Sequence, residues 1–248
     1  MRAILTYHSI DASGSVISVD PYAFRAHVTA LAGRGARGVT VGELLRLPPD
    51  ANAVAITFDD GYANFATAAW PVLRDAGFAA TVFVVTDRVG GRNTWDAEGT
   101  RLPRLDLLDW EALARLAEDG VALEAHSRTH ADLRGLTASA LEDEMEGSAE
   151  RLARETGRRP EGFAYPYGAH DTAAVAQARR SWRWACTTEL AALKGGEDPH
   201  RLPRLDAYYL RRPEAMVGWD MPAFRRRLQL RALARRGRAT LFGRRRHG

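Results

Sequence analysis

The chain has 248 residues, 46% hydrophobic and 27% charged, values that exclude a disordered or fibrous protein and suit one large domain. No apolar run reaches the 18 or more residues of a membrane span, and Cys186, the single cysteine, excludes an internal disulfide and any paired-cysteine metal or redox site. The net charge of +4 is unevenly spread, because residues 224–248 hold ten arginines and no acid while the rest carries about −6.

The first residues pass directly into a strand-like run at 3–6, without the apolar core or cleavage site of a signal peptide, so a cytoplasmic location is expected. A helix is predicted over 21–33, opened by Asp20-Pro21 and closed by Gly33, then a strand over 53–58 and a helix over 62–76 ending at Gly77. A strand over 80–85 precedes a long loop, 86–108, of a length that usually has a function. Next come a helix over 110–118 behind Asp109, a strand over 121–125, a helix over 138–156 between Thr137 and Gly157, a strand over 162–164, a helix over 172–180 and a strand over 184–187. Short, mostly apolar strands alternating with amphipathic helices imply an α/β fold with a parallel sheet, open or closed into a barrel. The expected organisation is one catalytic domain over 1–223 and a basic tail over 224–248.

Two segments carry chemistry. Thr57-Phe58-Asp59-Asp60-Gly61 sets adjacent carboxylates at the end of an apolar run, and His126-Ser127-Arg128-Thr129-His130 sets two imidazoles four residues apart after another. Asp-Gly is also an ordinary turn, and histidines at this spacing also share a helix face by chance. Together, at two predicted strand ends, they supply three ligands for a divalent cation with a position left for water, and a spare carboxylate to take a proton.

These two motifs, complete and in order, resemble those of the polysaccharide deacetylase family, also called the NodB-homology or carbohydrate esterase family 4 domain. The resemblance covers roughly residues 1–210 and implies a distorted (β/α) barrel with fewer strands than a TIM barrel. It implies Asp59 as general base and Asp60, His126 and His130 as metal ligands, with zinc the default and cobalt, nickel or iron also accepted by such ligands. The family's third motif, usually RPPYG, matches Ala164-Tyr165-Pro166-Tyr167-Gly168, with Ala164 in place of the arginine that orients the base. Tyr167 is then the candidate whose main-chain N–H holds the oxyanion, and Arg204 the candidate to replace the missing arginine. The family's late histidine has only His200 as counterpart. In a rearranged branch resembling the deacetylases of poly-N-acetylglucosamine export, the acid instead comes from an N-terminal Tyr-His, which Tyr7-His8 matches, so His8 is the expected general acid. Tyr62, Trp95, Asp96 and Tyr165 are candidates to line a sugar groove.

The expected activity is removal of an N-acetyl group from an N-acetylated glycan or glycolipid. Hydrolysis of a small amide or cyclic imide on the same fold is the alternative. A two-histidine, one-carboxylate iron enzyme fits the ligands but not the βα alternation, and a glycosidase needs its two acids about 5 Å or more apart. No nucleic-acid partner is expected, since the basic tail has few interleaved aromatics. Its leucines and arginines instead suggest peripheral contact with an anionic membrane.

Overall fold

The computed structural model describes residues 1–95 and 102–243, apart from the side chains of 235–243. Strand β1 (Arg2–Tyr7) is followed by a short parallel pair, β2 (Ser9–Ile10) and β3 (Ser18–Val19), and then by α1 (Pro21–Gly33). Next along the chain are β4 (Arg37–Gly38), α2 (Val41–Arg46), β5 (Ala53–Phe58), α3 (Trp70–Asp75), β6 (Ala80–Val84), α4 (Trp110–Glu118) and β7 (Ala122–Ala125). The chain continues through α5 (Ala138–Thr156), β8 (Gly162–Ala164), α6 (Thr172–Ser181), β9 (Trp184–Cys186), β10 (Leu205–Asp206) and α7 (Pro222–Gly243). The predicted N-caps form, since the Asp20, Asp109 and Thr137 side chains accept from main-chain N–H groups of their helices' first turns. Gly157 ends α5 in the left-handed region at φ 71°, whereas the left-handed residue after α1 is Gly35 (66°) and not Gly33.

The sheet order is β10-β1-β5-β6-β7-β8-β9, every pairing parallel, with β4 also against β5. Residues 199–206 close the ring, since the Leu202 N–H donates to the Ala185 carbonyl while Leu205 and Asp206 pair with β1. The result is the expected distorted barrel. Period-2 alternation divides its apolar residues into two cores. Ile4, Ala55, Phe83, Ala164, Trp184 and Cys186 fill the interior, whereas Leu5, Ile56, Val82, Phe163 and Ala185 pack outward among the helices. Gly162 is required inside, because a Cβ there would stand 2.1 Å from the Trp184 ring.

Every predicted strand forms to within a few residues, but the helix expected over 62–76 does not run through. Its first half is a π-helical turn, Phe65–Ala69, and α3 starts only beside Pro71, which has no N–H for the carbonyl four residues back. The boundary expected at residue 223 falls inside α7, whose Phe224 and Leu228 are buried in the core. The basic segment therefore begins as part of the folded body. No helix among the described residues is long and apolar enough to cross a membrane.

Candidate active site

The inward register of the strands leads into the site. On β1, Ile4 and Thr6 precede His8. On β5, Ala55 and Thr57 precede Asp59, and Glu124 on β7 precedes His126. Two-residue periodicity thus delivers three functional side chains to the carboxyl-terminal mouth of the barrel. The others arrive through tight turns. Of the five non-glycine residues described with positive φ, four are at the site: Asp60 (72°), Ser127 (64°), His130 (67°) and Tyr167 (59°). Such conformations cost on the order of 1–3 kcal/mol each and persist where the surroundings over-determine them.

Asp60 Oδ1 is 3.5 Å from His126 Nε2 and 3.3 Å from His130 Nε2, all three residues being buried. A tetrahedral cation with bonds of about 2.0–2.1 Å needs ligand atoms about 3.3 Å apart, so the cluster fits one. Its hydrogen bonding agrees: His126 Nδ1 donates to the Ala164 carbonyl at 2.7 Å, which leaves Nε2 as a lone-pair donor, while Asp60 Oδ1 is buried without a hydrogen-bond partner. Burial, assisted by the His130 charge against the opposing Asp59 and Asp60, holds the His126 imidazole down at about 4, so it stays neutral as a ligand must. Burial pushes Asp60 up, but His130 and the other imidazoles outweigh it and keep the carboxyl well below its usual range.

Asp59 is held differently. Arg204 donates from Nη1 and Nη2 to its two oxygens at 2.7 and 2.8 Å, and from Nε to the Thr187 carbonyl at 2.9 Å, with its guanidinium over the Phe83 ring. Arg204, the candidate to replace the third motif's missing arginine, thus contacts both oxygens of the Asp59 carboxylate. Burial alone would raise the Asp59 carboxyl, and Arg204, then His126 and His8, overcome it, so the group is held below the ordinary carboxylate range. His8 Nε2 lies 3.9 Å from Asp59 Oδ2, beyond a hydrogen bond but within the same pocket mouth, and the side chain is partly exposed.

Around His130, the Trp95 ring lies 4.7 Å away and the Tyr167 ring 4.5 Å away, edge on, giving the mouth two aromatic walls. Tyr62 and Tyr165 are elsewhere. Tyr62 is buried, and its hydroxyl accepts from Asn93 Nδ2 at 3.3 Å, while Asn93 also bonds Pro103 and Leu105, so this tyrosine anchors the long loop. Tyr165 is one position out of the inward register, buried outside the barrel with its hydroxyl donating to the His200 carbonyl. Both placements correct the expectation of groove-lining residues, and Asp96 lies outside the described residues. His200 Nε2 bonds the Trp182 carbonyl at 2.9 Å, so the imidazole beside Asp59 is that of His8.

Sequence reasoning missed Glu144. From α5, its Oε2 accepts from the Arg128 and Thr129 N–H groups, both at 3.0 Å, and its Oε1 from the Thr129 hydroxyl at 2.6 Å. With Ser127 Oγ accepting from the His130 N–H at 3.0 Å, it shapes the non-helical turn between the histidines. Nothing in the local pattern of α5 marks Glu144 apart from its acidic neighbours.

The sequence model described as Polysaccharide deacetylase matches residues 46–181, more than half of the chain. The chain belongs to the polysaccharide deacetylase family. Among curated relatives it is 28% identical to YxkH of Bacillus subtilis over 208 residues, 82% of this chain and 70% of that protein. It is 24% identical to the poly-β-1,6-N-acetyl-D-glucosamine N-deacetylase of Staphylococcus epidermidis over 204 residues, 76% of this chain and 67% of the relative. Among solved structures, the deacetylase PplD of Streptococcus pyogenes, determined with acetate, superposes with a TM-score of 0.76 over 89% of this chain and 98% of its own, at 21% identity. That likeness is one of fold, and it agrees with the barrel described above. As a family member the protein is a carbohydrate deacetylase, acting on the carbon–nitrogen bond of an N-acetylated sugar.

Proposed function

We propose that the protein is a metal-dependent N-deacetylase of the rearranged branch, acting on an N-acetylglucosamine-type glycan or its carrier-linked precursor. The observation that carries this reading is the division of labour between adjacent carboxylates. Asp59 is clamped by Arg204, whereas Asp60 faces two histidines. A divalent cation bound by Asp60, His126 and His130, zinc being the best fit to these ligands, would supply Lewis-acid polarisation of the acetamido carbonyl.

Asp59, kept ionised and oriented by Arg204, accepts a proton from the water that attacks the acetyl carbon. The Tyr167 N–H stabilises the negative charge that develops on the carbonyl oxygen. His8 gives a proton to the sugar nitrogen as the C–N bond breaks, because an amine leaves only when protonated. Acetate and a free amino sugar are the products. Trp95 and Tyr167 offer faces against which a pyranose ring packs.

The Staphylococcus relative's substrate supports glucosamine glycans as the class to test first. The exposed Leu230 and Leu233 among the arginines of α7 support contact with an anionic membrane, which would suit a lipid-linked sugar. The test of the reaction is acetate release by the zinc-loaded protein across N-acetylated glucosamine oligomers, lipid-linked sugars and small cyclic imides. Release from an imide but from no sugar would refute the proposal.

A further inference from the structure

Four guanidinium groups converge on the flank of the barrel. After β10 the chain runs through residues 207–216 beside α1, where His27 Nε2 bonds the Arg212 carbonyl at 2.8 Å, and α7 then returns alongside. Between these segments lies a recess of about 450 Å³ bordered by Tyr208, Arg211, Arg212, Glu214, Arg227 and Arg231. Glu214 is its one acid.

The arginines of this cluster are held differently from those of the surface ion pairs. Arg128, Arg134, Arg159 and Arg179 each reach a carboxylate. None of the four recess arginines does so among the described residues; main-chain carbonyls hold three of them instead. Arg211 donates to the Gly14 and Ser15 carbonyls and lies over the Tyr208 ring, Arg227 donates to the Ala215 carbonyl at 2.9 Å, and Arg231 donates to the Tyr209 carbonyl. A carbonyl orients a guanidinium without neutralising it and uses only part of its five-donor fork. Burial and the neighbouring Arg227 and Arg212 push the Arg231 guanidinium down, as expected of uncompensated like charges.

We propose that this recess is a binding site for a phosphate group, carried either on a soluble phosphate ester or on a phospholipid headgroup. Its net positive charge calls for an anion of more than one charge, and fixed planar forks match phosphate oxygens in pairs. The inference does not depend on the deacetylase chemistry, and its readout is binding alone.

The probe is inorganic pyrophosphate, titrated calorimetrically into the full chain at low ionic strength without added divalent cation. In parallel, the protein is sedimented with phosphatidylglycerol and with phosphatidylcholine vesicles. Arg227→Gln/Arg231→Gln should weaken anion binding at least 10-fold. Arg212→Gln, an exposed change that breaks no side-chain bond of the fold, should weaken it several-fold. Arg226→Gln makes the same charge change on α7 outside the recess and should leave binding unchanged. Loss confined to pyrophosphate assigns the site to a soluble ester, and loss that extends to the phosphatidylglycerol vesicles assigns it to a headgroup. The proposal is overturned if the wild type binds neither probe, or if Arg226→Gln weakens binding as much as Arg212→Gln.

Discussion

Replacing Arg204 by leucine tests the core of the catalytic argument, because the guanidinium holds Asp59 across 145 residues of sequence. The change removes two charge-assisted hydrogen bonds of 2.7 and 2.8 Å and the bond to the Thr187 carbonyl, all buried. Each charged bond contributes about 1.5–3 kcal/mol, and stripping one partner from a buried pair costs about 3–5 kcal/mol because the other charge is left unpaired. With a urea m value of about 2 kcal/mol/M, the unfolding midpoint should fall by roughly 2 M at neutral pH.

The deficit depends on pH with a definite sign. In the wild type the Asp59 carboxyl is depressed, so it adds stability above the unfolded carboxyl value, lost as pH falls through the folded value. In Arg204→Leu, burial is opposed only by His126 and His8, so the carboxyl rises and the folded state holds its proton to higher pH than in the wild type. The variant's deficit therefore shrinks on acidification, and the acid limb of its activity profile moves to higher pH. Arg204→Leu/Asp59→Leu should recover most of the lost stability while remaining inactive. A loss below about 1 kcal/mol together with an unmoved acid limb would refute the assignment of Arg204 as the group that holds the base.

Asp60→Ala or His130→Ala should abolish stoichiometric zinc binding, whereas Asp59→Asn should retain the metal and lose roughly 10²-fold or more in rate; zinc titration and acetate release separate the two, and metal loss confined to Asp59→Asn would reverse the roles. His8→Ala should slow amide hydrolysis far more than hydrolysis of an activated acetate ester, whose leaving group needs little protonation, and equal losses would remove the general-acid assignment. Burial raises the Glu124 carboxyl from 4.5 to about 8 despite its bonds from the Glu161 and Gly162 N–H groups. The folded state therefore holds a proton that the unfolded state releases, a contribution of at most about 5 kcal/mol that is present below pH 4.5 and lost as pH rises through 8. Thermal melts should show wild-type stability falling from pH 5 to pH 9 more steeply than that of Glu124→Gln; parallel curves would show that Glu124 is not protonated in the fold.

What the sequence made legible follows from parity along the strands. His8, Asp59 and His126 each continue the inward register of an apolar strand, so their convergence is readable wherever the strand itself is. The same rule, applied strictly, places Tyr165 outward beside Ala164, and the expectation of a groove residue there failed by following the motif instead of the parity. Arg204 also obeys it, two residues after the inward Leu202. Yet β10 has only two residues, too few for a periodic signal, so the sequence could offer Arg204 as a candidate but not its geometry.

The remaining site groups depend on backbone conformations that no pattern of side chains announces. Asp60, Ser127, His130 and Tyr167 all occupy the left-handed region, where non-glycine residues are uncommon. The spacing of His126 and His130 suggests one helix turn, but the structure forms a strand end and a turn clamped by Ser127 and Glu144. In a helix the two rings would share an exposed face. Here His126 points along the barrel register and the reversal at Ser127 brings His130 back over it, with ring centroids 4.9 Å apart. The strain of that turn is borne by hydrogen bonds from a distant helix, and it brings both imidazoles to Asp60 Oδ1 from different directions. Chelation of one cation requires that convergence, and local helical geometry would not have provided it.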